Sequence, residues 1–325
     1  MTRPDILMPA PMLPSVIAVL DDRFALHRLW EQPDADAYLR GVGPAIRGLA
    51  ASTLAGAIGA AMFDRLPALE IVANFGVGYD NIDATAAAAR GIAVTNTPGV
   101  LDAEVADLTI GLLLATLRRL PQADRFVRDG RWPGGAFPLS PTLRGRRVGI
   151  VGLGAIGKAV ARRLDGFDIA IAYHGRTRQP DVGYEYHASL VALAAACDVL
   201  IAIVPGGAAT THLIDAAVLA ALGPQGVLIN VSRGSVVDEV ALTAALESGA
   251  IWGAGLDVFA DEPHVPPALL TMANVVLLPH IGSASRHTRA AMGQLVVDNL
   301  IAWFDDGRPL TPVIETRRPV KTNSK

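Results

Sequence analysis

Short apolar runs alternate with longer Ala/Leu-rich amphipathic stretches along the chain. This is the pattern of βαβ units feeding a parallel sheet. In the first third, strands are predicted at Val16–Leu20, Ala45–Ala50, Leu69–Asn74 and Ile92–Thr95, and helices at Asp22–Glu31, Ala55–Arg65 and Asp83–Arg90. Gly91 stands where a helix C-terminus favours a left-handed residue. Pro98-Gly99 interrupts the pattern. A long helix, Asp102–Leu120, follows with Leu108, Leu112, Ala115 and Leu120 on one stripe, and its end runs into Pro121. From there through Trp132-Pro133-Gly134-Gly135 to Pro141 the chain reads as an irregular arm, a kind of connection that usually serves function or an interface.

A more regular series begins at Arg147. Strands are predicted at Val148–Val151, Ile169–Tyr173, Val199–Ile203, Val227–Val231, Trp252–Asp257 and Val275–Leu278, with helices at Ile156–Leu164, Ser189–Ala195, Asp215–Ala221 and Glu239–Ser248. Six strands with helical crossovers are the content of a dinucleotide-binding doubly wound sheet. A final helix, Ala284–Phe304, precedes a basic tail, Arg317–Lys325, expected to be disordered. The fold expected is α/β with two Rossmann-like domains. The first is discontinuous (1–100 and 286–325) and the second (101–285) is inserted, with hinges near Val100 and Ser285.

Composition narrows the function. The 325 residues are 51% hydrophobic but only 5% aromatic, so the core is aliphatic and intrinsic disorder is excluded. Lys+Arg 28 against Asp+Glu 31 leaves a net charge of -3, with no basic excess to draw nucleic acid or an anionic membrane. No apolar run approaches the roughly 20 residues of a membrane-spanning helix. Pro9, Pro11 and Pro14 break the N-terminal apolar stretch, so a signal peptide is not expected. The single cysteine, Cys197, cannot form an intrachain disulfide, and a reducing cytoplasm is the expected location.

The run Val151-Gly152-Leu153-Gly154-Ala155-Ile156-Gly157 places G-x-G-x-x-G between a strand and a helix. Gly152 permits the tight turn, Gly154 admits a pyrophosphate to the backbone, and Gly157 lets helix pack on strand. About 20 residues on, a carboxylate is expected for a ribose 2′-hydroxyl. The sequence reads His174-Gly175-Arg176-Thr177-Arg178 instead, with Asp168 at the far end of the strand. Two guanidinium forks and a hydroxyl suit a 2′-phosphate, so NADPH is expected in preference to NADH.

Ligands of open α/β sheets sit beyond the carboxyl ends of the strands. Three predicted strands there lead into Ser232-Arg233-Gly234, Asp261-Glu262-Pro263 and Pro279-His280-Ile281-Gly282. Reduction of a 2-keto acid needs a cation to orient the substrate and polarise its carbonyl, and an acid to protonate the alkoxide. Arg233 suits the first task. His280 suits the second, with Glu262 beside it to favour the charged ring. No metal is called for. Gly76-Val77-Gly78, after a strand, offers uncovered amides as a carboxylate nest, with Tyr79 either bordering the pocket or packing.

Four stretches, the glycine loop, Asn230–Asp238 (NVSRGSVVD), Gly255–Pro263 (GLDVFADEP) and Leu278–Ser283 (LPHIGS), resemble the D-isomer-specific 2-hydroxyacid dehydrogenase family. Asn74–Asp83 (NFGVGYDNID) resembles that family's substrate loop. Within the family the sequence is similar to NADPH-dependent glyoxylate/hydroxypyruvate reductases and hydroxyphenylpyruvate reductases. The resemblance implies a flavodoxin-like substrate domain, Arg233 as substrate-orienting residue and His280–Glu262 as the acid/base dyad. It also implies that the Val77 and Gly78 amides hold the substrate carboxylate. Val204-Pro205, Val231, Ser232, Asp257 and Gly282 would line the cofactor. The helix and arm 102–141 would form a homodimer interface. The expected reaction is reduction of glyoxylate or hydroxypyruvate to glycolate or D-glycerate. Aryl-pyruvate reduction and a nucleotide-sensing, corepressor-like binding protein are the alternatives. A formate-oxidising relative would call for Gln where Glu262 stands.

Overall fold

The structure, a computed structural model, describes residues 3–317; residues 318–325 of the predicted basic tail lie outside the described residues. Two compact units divide the chain: one holds residues up to Leu101 and from Ser285 onward, the other Asp102–Ala284.

The first unit carries a parallel sheet of β1 (Asp5–Met8), β2 (Ala25–Arg28), β3 (Ile46–Ser52), β4 (Ile71–Phe75) and β5 (Ala93–Thr95), in the order β2-β1-β3-β4-β5. Val16, Leu20, Val296 and Leu300 cover one face, and Leu39, Phe63, Leu66 and Ala87 pack with the other. The returning helix Arg286–Asp306 belongs to this unit. It approaches the Pro14–Arg23 helix so closely that a Cβ on Gly293 would lie 2.3 Å from Val16 Cγ2.

Two expectations fail here. Val16–Leu20 is helical, within Pro14–Arg23: Pro14 starts the helix and Val16 and Leu20, one turn apart, share its buried face. The predicted helix Asp22–Glu31 keeps only Asp22 and Arg23, the end of that helix, and then becomes the edge strand β2 and a 3-10 turn at Leu29–Glu31. An edge strand is only half buried, so its polar residues hid the strand; His27 spends its ring on Asp5 and Tyr38, at 2.8 Å each. Of Ala55–Arg65 only Ala60–Arg65 is α-helical, because Gly56 takes a φ of 69° and ends the preceding turn.

The second unit carries β6 (Arg147–Val151), β7 (Ala170–His174), β8 (Glu185–His187), β9 (Val199–Ala202), β10 (Val227–Asn230), β11 (Gly253–Leu256) and β12 (Val275–Leu277). All run parallel, in the order β12-β11-β10-β9-β6-β7-β8. Every residue of β9, β10 and β11 is buried, since helices cover both faces. Leu193, Val218 and Leu242 pack on one side; Leu112, Val160 and Leu164 on the other. β8, three residues at the sheet edge, is a strand the apolar pattern did not signal. Pro121 does not open the irregular arm. It sits in the first turn of a second helix, Leu120–Arg128, where its missing N–H costs nothing, and Arg119 at φ 53° separates this helix from Asp102–Arg118. The irregular stretch therefore starts near Asp129.

Candidate active site

The sheet order decides what the second unit brings together. β10, β11 and β12 are adjacent and parallel, so the loops carrying Arg233, Glu262 and His280 leave the same edge. His280 Nδ1 lies 2.7 Å from Glu262 Oε2, and Glu262 Oε1 accepts the Phe259 N–H at 3.0 Å. Burial pushes the Glu262 carboxyl up. The hydrogen bonds from His280 and Phe259, with the charges of His280 and Arg233, outweigh that and hold it below the usual carboxylate range. A Cβ on Gly234 would lie 1.8 Å from the Phe259 carbonyl carbon, so only glycine lets the loop after Arg233 press against the start of the Glu262 loop.

Two of these loops are held by a polar residue at a strand end, the Arg233 loop by Asn230 and the His280 turn by Asp257. Asn230 accepts Ser232 N–H and Oγ–H at 3.1 and 2.8 Å and donates to Arg233 O at 3.0 Å. Asp257, 1% exposed, accepts the Ile281 and Gly282 amides at 2.7 and 2.8 Å, while its carbonyl takes the His280 N–H at 2.8 Å. These bonds fix His280 at φ 53°, a left-handed conformation uncommon outside glycine. Burial pushes the Asp257 carboxyl up, against the pull of the two amides and the His280 ring. Asp257 and Gly282 thus have a task as the frame of the histidine turn.

The glycine loop lies at the point where the strand order reverses, between β6 with its neighbours β7 and β8 on one side and β9 on the other. Gly152 takes φ 97° against Ile203 O and Val204, and a Cβ on Gly157 would sit 2.2 Å from Gly152 O. Beyond Gly154 lies open space within 4 Å, over the first turn of the Ala155–Leu164 helix. The N–H groups of Ala155, Ile156 and Gly157 have no partner within that helix. Leu153 turns its side chain into the core and offers only backbone, its carbonyl accepting Gln179 Nε2 at 2.8 Å. Gln179 N donates to Tyr173 Oη at 2.7 Å, so the loop Gly175-Arg176-Thr177-Arg178 is tied beside the glycine loop, with Arg176, Thr177 and Arg178 exposed. Val204, Pro205, Val231 and Ser232 follow β9 and β10 at the same edge, Ser232 buried. A cradle of this shape, open where a Cβ is absent and lined by helix N–H groups and arginines, fits a phosphorylated dinucleotide.

In the first unit, Gly76-Val77-Gly78 follows β4. Asn74 Nδ2 donates to the carbonyls of Gly76 (3.2 Å) and Gly78 (2.9 Å), Asn96 Nδ2 to that of Val77 (2.8 Å), and Thr97 N–H to that of Gly76 (3.0 Å). With the carbonyls taken, the Val77 and Gly78 amides have no acceptor among the described residues, which is the arrangement of an anion nest. Asn74, Asn96 and Thr97 were missed in the sequence, although a buried Asn ending an apolar strand was a signal. Tyr79 donates to Glu315 at 3.1 Å and packs with the core.

Among the described residues no cluster could hold a metal ion, and no helix is long and apolar enough to cross a membrane. The profile of the D-isomer specific 2-hydroxyacid dehydrogenase NAD binding domain matches residues 110–282. A hydroxyphenylpyruvate reductase of Plectranthus scutellarioides is 48% identical over 95% of this chain and 98% of its own length. A glyoxylate/hydroxypyruvate reductase A of Arabidopsis thaliana is 47% identical over the same shares. The crystal structure of an NADPH-dependent glyoxylate/hydroxypyruvate reductase from Sinorhizobium meliloti, in complex with NADP and malonate, superposes with a TM-score of 0.93 at 56% identity, covering 98% of this chain and 100% of that one. The chain belongs to the D-isomer specific 2-hydroxyacid dehydrogenase family.

Proposed function

We propose that the protein reduces small 2-keto acids, glyoxylate and hydroxypyruvate first, to 2-hydroxy acids with NADPH. The observation that carries this reading is the His280–Glu262 pair at 2.7 Å on the sheet edge shared with Arg233 and the glycine loop. The Val77 and Gly78 amides take the substrate carboxylate. Arg233 orients the keto acid and polarises its carbonyl. A bound reduced nicotinamide supplies the hydride. His280, held by Glu262 through Nδ1, presents Nε2 and gives its proton to the developing alkoxide. Glu262 stays ionised and steadies the imidazolium before the transfer.

The exposed guanidinium groups of Arg176 and Arg178, with the Thr177 hydroxyl, support a preference for a cofactor with a 2′-phosphate over NADH. Residues up to Leu101 with those from Ser285 serve as the substrate-binding domain, and Asp102–Ala284 as the cofactor domain. Leu120, Val127, Trp132 and Leu139 are 51 to 100% exposed on the second helix and arm, an apolar surface that supports a homodimer interface. A cytoplasmic location accords with the lone buried thiol, Cys197. The test is turnover: purified protein with NADPH consumes glyoxylate or hydroxypyruvate, and His280→Gln abolishes this while binding NADPH as before. Absence of turnover on all three of glyoxylate, hydroxypyruvate and phenylpyruvate overturns the proposal. NADPH binding without turnover would favour the corepressor-like reading.

A further inference from the structure

After the Arg286–Asp306 helix, residues 310–316 return to the sheet of the first unit. They lie against the edge strand β5, with Thr95 opposite Pro312, antiparallel to a sheet whose own strands all run parallel. Val313 N–H donates to Val94 O at 2.9 Å, and the Thr316 hydroxyl accepts Val94 N–H at 3.1 Å. These bonds close the open edge of β5, and Val313, 4% exposed, packs into the core beneath it. Edge protection needs nothing more.

Other bonds of the segment run past the edge to the flanks of the Gly76–Gly78 nest. Asn299, fully buried, accepts the Leu310 and Thr311 amides at 2.9 and 3.0 Å through Oδ1 and donates from Nδ2 to Thr311 Oγ1 at 2.9 Å. The Thr311 hydroxyl donates in turn to Asn96 O at 2.6 Å, and Asn96 N–H donates to Thr311 O at 3.3 Å. Asn96 is the residue whose Nδ2 holds the Val77 carbonyl. A peptide group is planar and trans, so fixing the Val77 carbonyl aims the Gly78 N–H the opposite way. Thr97, one residue on, holds the Gly76 carbonyl and by the same geometry aims the Val77 N–H. On the other flank Tyr79, next after Gly78, donates its hydroxyl to Glu315 at 3.1 Å. Both amides of the nest are bracketed by tethers anchored in one short segment.

We propose that Asn299, Thr311 and Glu315 are positioning residues of the substrate carboxylate site, acting through Asn96 and Tyr79 on the aim of the Val77 and Gly78 amides. The inference rests on the 2-keto acid reductase reading above and adds the residues that set affinity for the carboxylate end of the substrate, whatever its side chain.

The test uses glyoxylate and oxalate, a planar dicarboxylate that resembles glyoxylate and takes no hydride. Thr311→Val keeps the shape and removes the hydroxyl. It is expected to raise KM for glyoxylate and Kd for oxalate on the NADPH-loaded protein, read by calorimetry, about threefold to tenfold, with kcat and Kd for NADPH changed less than twofold. Thr311→Ser, which keeps the hydroxyl, restores both. Glu315→Ala is expected to act in the same direction by about twofold to threefold; Glu315 is exposed, so this variant keeps the test open should Thr311→Val not fold. The effects also pass through named residues: Thr311→Val adds nothing in an Asn96→Ala background, and Glu315→Ala adds nothing in Tyr79→Phe. A merely structural loss adds in both backgrounds. An unchanged Kd for oxalate in the folded variants, or full additivity in both backgrounds, overturns the proposal and leaves the reductase reading standing. If the wild type binds oxalate but reduces no keto acid, the reductase reading fails and the oxalate Kd alone decides the positioning. A wild type that neither reduces glyoxylate nor binds oxalate overturns both.

Discussion

Replacing Glu262 by Gln keeps the side chain's shape and removes its charge. The carboxylate serves two donors at once, Phe259 N–H through Oε1 and His280 Nδ1 through Oε2, at 3.0 and 2.7 Å. An amide has one acceptor oxygen, so if Phe259 keeps it, the new NH2 group faces Nδ1 and favours an uncharged ring. Hydrogen bonds to charged groups contribute about 1.5–3 kcal/mol, or about 10- to 150-fold in rate. The side chains are 37% and 35% exposed, and solvent screening places the effect at the lower end. Glu262→Gln is therefore expected to lower kcat/KM for glyoxylate about 10- to 30-fold.

The pH profile makes the test sharper. The Glu262 carboxyl is held below its usual range, so the acid limb of the wild-type profile should lie below the ordinary glutamate range and appear only as this group takes up a proton. Stability follows the same sign: the contribution is present above the unfolded pKa and lost as pH falls through the lower folded value. In the variant the acid limb disappears. The assay is steady-state loss of NADPH absorbance across pH, with circular dichroism bounding the folded range. Undiminished kcat/KM in Glu262→Gln, with the wild-type acid limb intact, refutes the reasoning.

Other predictions are simpler to read. Replacing Arg176 and Arg178 together by Gln should raise KM for NADPH about tenfold or more while changing KM for NADH less than twofold; equal effects on both cofactors would count against phosphate recognition. Asn74→Ala frees the Gly78 carbonyl and leaves that of Gly76 to Thr97 N–H alone, and should raise KM for the keto acid about tenfold, with Kd for NADPH unaltered; an unchanged KM would show that Asn74 does not position the nest. Burial pushes the Cys197 thiol up to about 12. The native protein should therefore resist iodoacetamide at about pH 8 and label only after unfolding, and rapid labelling of folded protein would contradict that.

The legible parts of the fold were those where one physical requirement left few options. The glycine loop reads clearly because a tight turn, a phosphate approach and helix packing each exclude a side chain, at Gly152, Gly154 and Gly157. Arg233, Glu262 and His280 stand out in the sequence because buried parallel strands end sharply and polar residues follow them. The first third was harder. Val16–Leu20 is a continuous apolar run whose period cannot separate a strand from a buried helix, and β2 is too exposed to show an apolar face. Asn74 and Asn96 were passed over because their work is done on backbone carbonyls, which carry no letter in the sequence.

The bonds that Asp257 makes to the histidine turn tie the aim of one side chain to the alignment of two strands. The carboxylate stands at the end of β11 and the amides it holds stand beyond β12, whose partners are Ala254 with Val275, Gly255 with Val276 and Leu256 with Leu277. A slip of one residue between these strands would carry the imidazole about 3.3 Å along the sheet and part it from Glu262. The tolerance of the proposed proton-transfer step is thus set by the indexing of the sheet. Substitutions in the apolar interior of β11 or β12 should then report first as misalignment, with turnover lost while the protein remains folded.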